Sequence, residues 1–197
     1  MNVQPMTDAK VLSPHAAFAA LNVLMVYEDL ATGHRVMRVF DALQHRFHKA
    51  IQFHTDMWKL DILSCPSMGR MAAQDARDAD LILVSVHSPE LLPEAVQNWF
   101  KHGVAQRGRN HGTLIALLST NHSETAQVTE PYAFLEHVAS EARMDFSVVL
   151  MDEGQTDMPV NRVASDIEEP PPVLENACRK YAHPQVDLVH APPLRQP

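Results

Sequence analysis

Residues Asp80 to Pro89 read D-L-I-L-V-S-V-H-S-P. A short, uniformly apolar run rich in β-branched residues, closed by a Ser-Pro pair that cannot continue a ladder, is the pattern of a strand buried on both faces. It predicts the central strand of a parallel sheet. Ser85, His87 and Ser88 then fall at its C-terminal edge, where open α/β sheets take their ligands.

On the N-terminal side, Leu21 to Val26 (L-N-V-L-M-V) has the same character and runs out into Tyr27-Glu28-Asp29. From Thr32, read as an N-cap, apolar residues recur at Val36, Val39, Phe40, Leu43 and Phe47, the spacing of an amphipathic helix. Ile51 to Leu63 alternates through Ile51, Phe53, Thr55 and Met57 and then Leu60 and Ile62, which predicts a half-buried edge strand. Cys65-Pro66-Ser67 opens a helix through Met68, Met71, Ala72, Asp75, Ala76 and Ala79.

On the C-terminal side, Leu92 to Val104 places Ala95, Val96, Trp99, Phe100 and Val104 on one helical face, the two aromatics reading as core. Thr113 to Leu118 is a fourth strand that ends in Ser119-Thr120-Asn121-His122. Pro131 to Arg143 reads as a helix with Phe134, Leu135, Val138, Ala139 and Ala142 inward, and Phe146 to Met151 as a fifth strand.

Three parts result: a loose leader over 1–20, one α/β domain over 21–152, and a proline-rich extension over 153–197. Eight of the fourteen prolines lie in 155–197, which favours a tether, with Val173 to Ala182 able to form one helix over the last strand's edge. Five strands alternating with four helices imply right-handed crossovers and a doubly wound, five-stranded parallel sheet in a three-layer sandwich. The edge-like second strand and the uniformly apolar first and third select the flavodoxin-like order 2-1-3-4-5. The crevice between strands 1 and 3 would be lined by Tyr27, Glu28, Asp29, Thr32, Ser85, His87, Ser88, Ser119, Thr120 and Asp152.

A net charge of -8 opposes a phosphate-tracking surface, so no nucleic-acid partner is expected, and the basic stretch Lys101 to His111 reads as a solvated loop. No apolar run reaches the roughly 18 residues that span a bilayer, and the start lacks a signal-peptide pattern. A cytoplasmic protein without a membrane partner is the expectation. Cys65 and Cys178 share no metal-binding or disulfide spacing and read as free thiols. There is no G-x-S-x-G elbow, P-loop, G-x-G-x-x-G or H-E-x-x-H.

Residues 21–152 resemble the receiver domain of response regulators, whose central strand typically reads D-L-I-L-L-D-x-x-x-P. Asp80 to Val84 and Pro89 match, and Ser85 stands where the family carries its phosphoacceptor aspartate. Glu28-Asp29 lies one residue late for the family's magnesium-holding acidic pair, Ser119 one step beyond its hydroxyl position, and Val149 to Asp152 holds no lysine. The resemblance implies a non-phosphorylatable, receiver-like module that works in signalling through a protein partner or a homodimer. Its output surface would include Tyr132, His137 and Glu141. No enzymatic activity and no cofactor are then expected, apart from a magnesium ion that Glu28 and Asp29 could hold.

The alternative is a small enzyme or a ligand- or metal-binding protein that uses the crevice, with Glu28, Asp29, His87 and His122 as an acid-base or divalent-ion set. A flavin is disfavoured in either case. Thr32-Gly33 sits at the first strand-helix turn, but Glu28 and Asp29 would place negative charge beside its phosphate.

Overall fold

The computed structural model describes residues 19–87, 92–108, 111–119, 133–151 and 169–182. Within them the elements run β1 (Ala19–Tyr27), α1 (Leu30–Phe47), β2 (Ile51–Lys59), α2 (Leu60–Leu63), α3 (Pro66–Asp78), β3 (Leu81–Val86), α4 (Glu94–Trp99), β4 (Thr113–Ser119), α5 (Ala133–Glu141), β5 (Asp145–Met151) and α6 (Pro172–Ala182). All five strands are parallel, in the order β2-β1-β3-β4-β5. The doubly wound, flavodoxin-like sheet is therefore as its hydrophobic pattern predicts.

Every residue of β3 is buried. Leu81 and Leu83 enter the layer of α1, while Ile82, Val84 and Val86 enter the opposite layer with α3, α4 and α5. Polar groups at the strand's start are consequently satisfied by protein. The Asp80 carboxylate accepts the Asn22 amide at 3.0 Å, and the Asp80 carbonyl accepts the Thr113 amide at 2.9 Å and the Tyr181 hydroxyl at 3.3 Å.

Four local readings are corrected. α1 is capped by Asp29, not Thr32, because the Asp29 carboxylate reaches the Thr32 amide and Thr32 becomes the fourth residue of a capping box. β2 ends at Lys59, and Leu60 to Leu63 turn into a short helix that buries Leu60 and Leu63 beside α3. On α4, Ala95 is exposed. The helix widens into a π-turn over Phe100–Val104, and Ala105 donates to the Phe100 carbonyl at 3.0 Å. Adjacent Trp99 and Phe100 are both buried, at 7% and 0% exposure. Trp99 Nε1 donates to the carbonyl of Gly69, where a Cβ would lie 2.6 Å from the Leu63 carbonyl oxygen.

The fourth correction concerns α6. The expected helix forms; it packs against α1 and β1, completes their layer and reaches β5 through the Lys180-Asp145 ion pair. Leu174 and Cys178 are fully buried among Leu21, Val23, Val39 and Phe40, so this proline-rich stretch supplies core where the sequence pattern showed none. Replacing Leu174 by alanine should cost about 2–5 kcal/mol in chemical denaturation, the range for a cavity at a fully buried leucine.

The buried thiol of α6 reports on the same docking, with the exposed Cys65 as its reference. Burial, aided by the Glu175 carboxylate, pushes the Cys178 thiol up to about 12. Hydrogen bonding to the Ser67 hydroxyl, then to the Met68 and Ser67 amides, lowers that of exposed Cys65. Since the thiolate is the reactive form, a thiol reagent should modify Cys65 in the native protein and Cys178 only on unfolding or in Leu174→Ala, as read by intact mass.

Candidate functional site

β1 delivers Tyr27, Glu28 and Asp29 to the C-terminal edge of the sheet, where α1 begins. Asp29 is extended, with φ -145°, and its Oδ1 accepts the Thr32 amide at 2.9 Å. In return Thr32 Oγ1 accepts the amides of Glu28 at 3.0 Å and Asp29 at 2.8 Å. The Tyr27 ring lies on the first turn of α1, against Gly33. A Cβ there would come within 3.0 Å of the ring, so only glycine allows the contact at this distance.

β3 delivers the other half. The peptide joining Val86 to His87 is held from both sides: the guanidinium of Arg35 donates to the Val86 carbonyl at 3.2 Å, and the His87 amide donates to Glu28 Oε2 at 2.9 Å. Arg35 also donates to the Leu117 carbonyl at 3.3 Å, which ties the ends of β3 and β4 together. Charged donors and acceptors make such bonds stronger than neutral ones, and Arg35 is 4% exposed, so the clamp lies largely out of water. The clamp aims the imidazole. His87 Nε2 lies 3.0 Å from Asp29 Oδ2, with the side chains 32% and 49% exposed.

The Asp29 carboxyl is shifted by opposing influences. Burial raises it, but hydrogen bonds from the Thr32 amide, the His87 ring and the Thr32 hydroxyl, with the His87 charge, outweigh burial and bring it from 3.8 to about 2. It is therefore an ionised carboxylate throughout the range in which a histidine ordinarily titrates, and the two form an imidazole-carboxylate couple.

Of the residues expected at the crevice, Glu28, Asp29, Thr32 and His87 meet in this network. Ser85 does not reach the crevice. Its position on the strand turns it toward the layer of α1, where it is fully buried and its hydroxyl has no hydrogen-bond partner. Ser119 is the last residue of β4. Ser88, Thr120, His122, Tyr132 and Asp152 lie outside the described residues. As for the expected magnesium pair, Asp29 Oδ1 and Oδ2 and Glu28 Oε2 are already engaged within the network. Among the described residues no group of three metal-ligating side chains is assembled.

Arg35 was missed in the sequence, though its spacing carries a signal. With Thr32, Val36, Val39 and Leu43 it falls on the buried stripe of α1, where an arginine must find buried acceptors.

No protein-family model matches the chain, and no curated protein does. Solved structures do match. One is a short-chain flavodoxin associated with a bacterial microcompartment, at 13% identity and TM-score 0.49, covering 82% of this chain and 99% of that one. Another is an NAD(P)H:quinone oxidoreductase from Methanothermobacter marburgensis, at 11% identity and TM-score 0.43, covering 83% and 98%. A third is general stress protein 14 from Treponema denticola in complex with FMN, at 12% identity and TM-score 0.42, covering 82% and 95%. Against a larger flavo di-iron protein from Thermotoga maritima, at 9% identity and TM-score 0.48, 81% of the chain is covered but it spans only 35% of the other's length.

None of these matches is named as a receiver, and three linked expectations lose their ground: the receiver-like interaction module, the absence of enzymatic activity and the absence of a cofactor. The chains they name are a flavodoxin, an oxidoreductase, a general stress protein in complex with FMN and a flavo di-iron protein, and the receiver reading is set aside. At such identities the likeness shows the fold alone. No helix of the described residues is long and apolar enough to cross a membrane.

Whether the first turn suits a flavin phosphate is a separate question, decided by its own atoms. Phosphate binding at a helix N-terminus needs unspent amides and no competing anion. Here the amides of Glu28, Asp29 and Thr32 are bonded within the turn, and the Asp29 carboxylate stands at the helix start itself. The residues present do not fit a phosphate at this turn.

The Asp29-His87 coupling can be read directly. Asparagine caps helices as well as aspartate does, so Asp29→Asn should leave α1 intact while removing the charge. Because the His87 ring and its charge help to lower the Asp29 carboxyl, that carboxyl should titrate at higher pH in His87→Ala by NMR. Since the folded carboxyl lies below its unfolded value, its stabilisation is fully present above about pH 4 and is lost as pH falls toward about 2. Acid unfolding of Asp29→Asn should lack that component.

Proposed function

We propose that the chain is a small-molecule-binding protein with acid-base chemistry, using the crevice at the C-terminal ends of β1 and β3. The observation that supports it is the His87-Asp29 couple, 3.0 Å apart and half-exposed at the position where this sheet topology opens. A histidine ordered by a carboxylate, on a strand end clamped by Arg35 and Glu28, is a pre-aimed proton donor and acceptor. Its role would be to take a proton from the bound molecule and return it. Asp29 orients the ring and steadies the imidazolium that forms, as a positioning residue.

Two carboxylates beside the ring favour a ligand that presents a neutral or cationic group to this side of the crevice. Oxidoreductases and an FMN-binding protein share the fold, so flavins belong among the molecules to be tried. The phosphate-free form is the better candidate, because the first turn has no place for a phosphate.

The test is thermal stability against riboflavin, FMN, nucleotides and divalent ions. A ligand present at a hundred times its Kd stabilises the native state by about 2.7 kcal/mol, which moves the unfolding midpoint measurably. A saturable rise that is lost in His87→Ala is the expected result, with riboflavin outperforming FMN if the ligand is a flavin. No rise with any of these molecules, or a rise undiminished in His87→Ala, would remove the reading.

A further inference from the structure

β2 is an edge strand: it pairs with β1 over all nine of its residues, and no described segment pairs with its outer edge. A row of unpaired amides and carbonyls of this length is a template for another strand, and proteins ordinarily blunt it with proline, lysine or a bulge. β2 has no proline, and its one lysine is its last residue, Lys59. His54, Thr55, Asp56 and Met57 are all exposed, Met57 at 39%.

The strand is also complementary to itself. A two-fold axis perpendicular to the sheet lets two copies of β2 run antiparallel, and residues directly opposite each other then share a face only if the axis passes through a residue. With the axis through Thr55, His54 faces Asp56 twice, Phe53 faces Met57 twice, Gln52 faces Trp58 and Ile51 faces Lys59. Moving the axis one residue either way dissolves the charge pairing: about His54, Gln52 meets Asp56, and about Asp56, His54 meets Trp58. Pairs of opposite charge and pairs of aromatic with aliphatic are those that stabilise neighbouring strands.

Surroundings reinforce the same register. His54 and Asp56 project on the α3 side, where Asn22, Asp56, Asp75 and Asp78 line a cavity of about 460 Å³. Asp56, Asp75 and Asp78 gather on this face, which a hydrogen-bond donor from outside would steady. The axis through Thr55 brings an imidazole from the second copy to that place. We propose that the chain forms a homodimer by antiparallel pairing of β2 with β2 about Thr55, joining two five-stranded sheets into one continuous sheet. The proposal is independent of what the crevice binds.

Two measurements test it on the full chain. Light scattering after size exclusion, from about 1 to about 100 μM, should give the mass of a dimer that dissociates on dilution. Registry is read by oxidation in a Cys65→Ser background. Thr55→Cys stands opposite its own copy, at a distance a disulfide can span, and should cross-link. Gln52→Cys should not, because its two copies lie six residues apart along the ladder, roughly 20 Å.

His54→Glu turns two attractions into repulsions and should raise the dissociation constant about tenfold, and the exchange His54→Asp with Asp56→His should restore it. A monomer throughout the range overturns the proposal. So does a dimer in which Thr55→Cys fails to cross-link, or in which His54→Glu has no effect.

Discussion

A strand buried on both faces has no water to turn to at either end, and the polar groups where it begins and stops must be met by the protein itself. β3 is that strand, and both of its ends are organised around this requirement. At its start, Asp80 gathers the Asn22 and Thr113 amides and the Tyr181 hydroxyl, drawing β1, β4 and α6 to one point. At its finish, the peptide between Val86 and His87 is held through its carbonyl by Arg35 and through its amide by Glu28. The apolar middle drives burial, and these ends determine how neighbouring elements are placed.

The crevice follows from the second of those ends. Glu28 satisfies the His87 amide, so the β1-α1 turn must approach β3 closely, and Asp29 then lies within hydrogen-bond distance of the His87 ring. The same turn satisfies the start of α1 with its own Thr32 and Asp29. The amides of Glu28, Asp29 and Thr32 are bonded internally, and the Asp29 carboxylate stands in their midst. The N-terminus of α1 thus carries a carboxylate of its own at the place where an anion would otherwise sit.

Much of the fold was legible because it rests on local patterns. Alternation marked β2 as the edge, unbroken apolar runs marked β1 and β3 as the interior, and right-handed crossovers leave few other orders for five such strands. The meeting of Glu28, Asp29 and His87 at one edge of the sheet was legible for the same reason, since each lies just past the end of a recognised strand. Ser85 was misjudged because it too is near a strand end, but one position inside it, where the α1 layer covers the side chain. Resemblance to receivers misled at the level of function, because the shared D-L-I-L-V run describes burial of a central strand and any protein with this sheet needs one.

Composition and hydrophobic period by themselves determined the class of fold and the strand order, because apolar burial is encoded residue by residue along the chain. Tertiary structure decided the rest. The guanidinium of Arg35 meets carbonyls 51 and 82 residues away, Glu28 meets an amide 59 residues away, and Leu174 and Cys178 complete the layer of α1 from beyond the last strand. No local pattern reports such partners. Which amides are spent, which carboxylate is ionised and which histidine is aimed depend on atoms that only folding brings together.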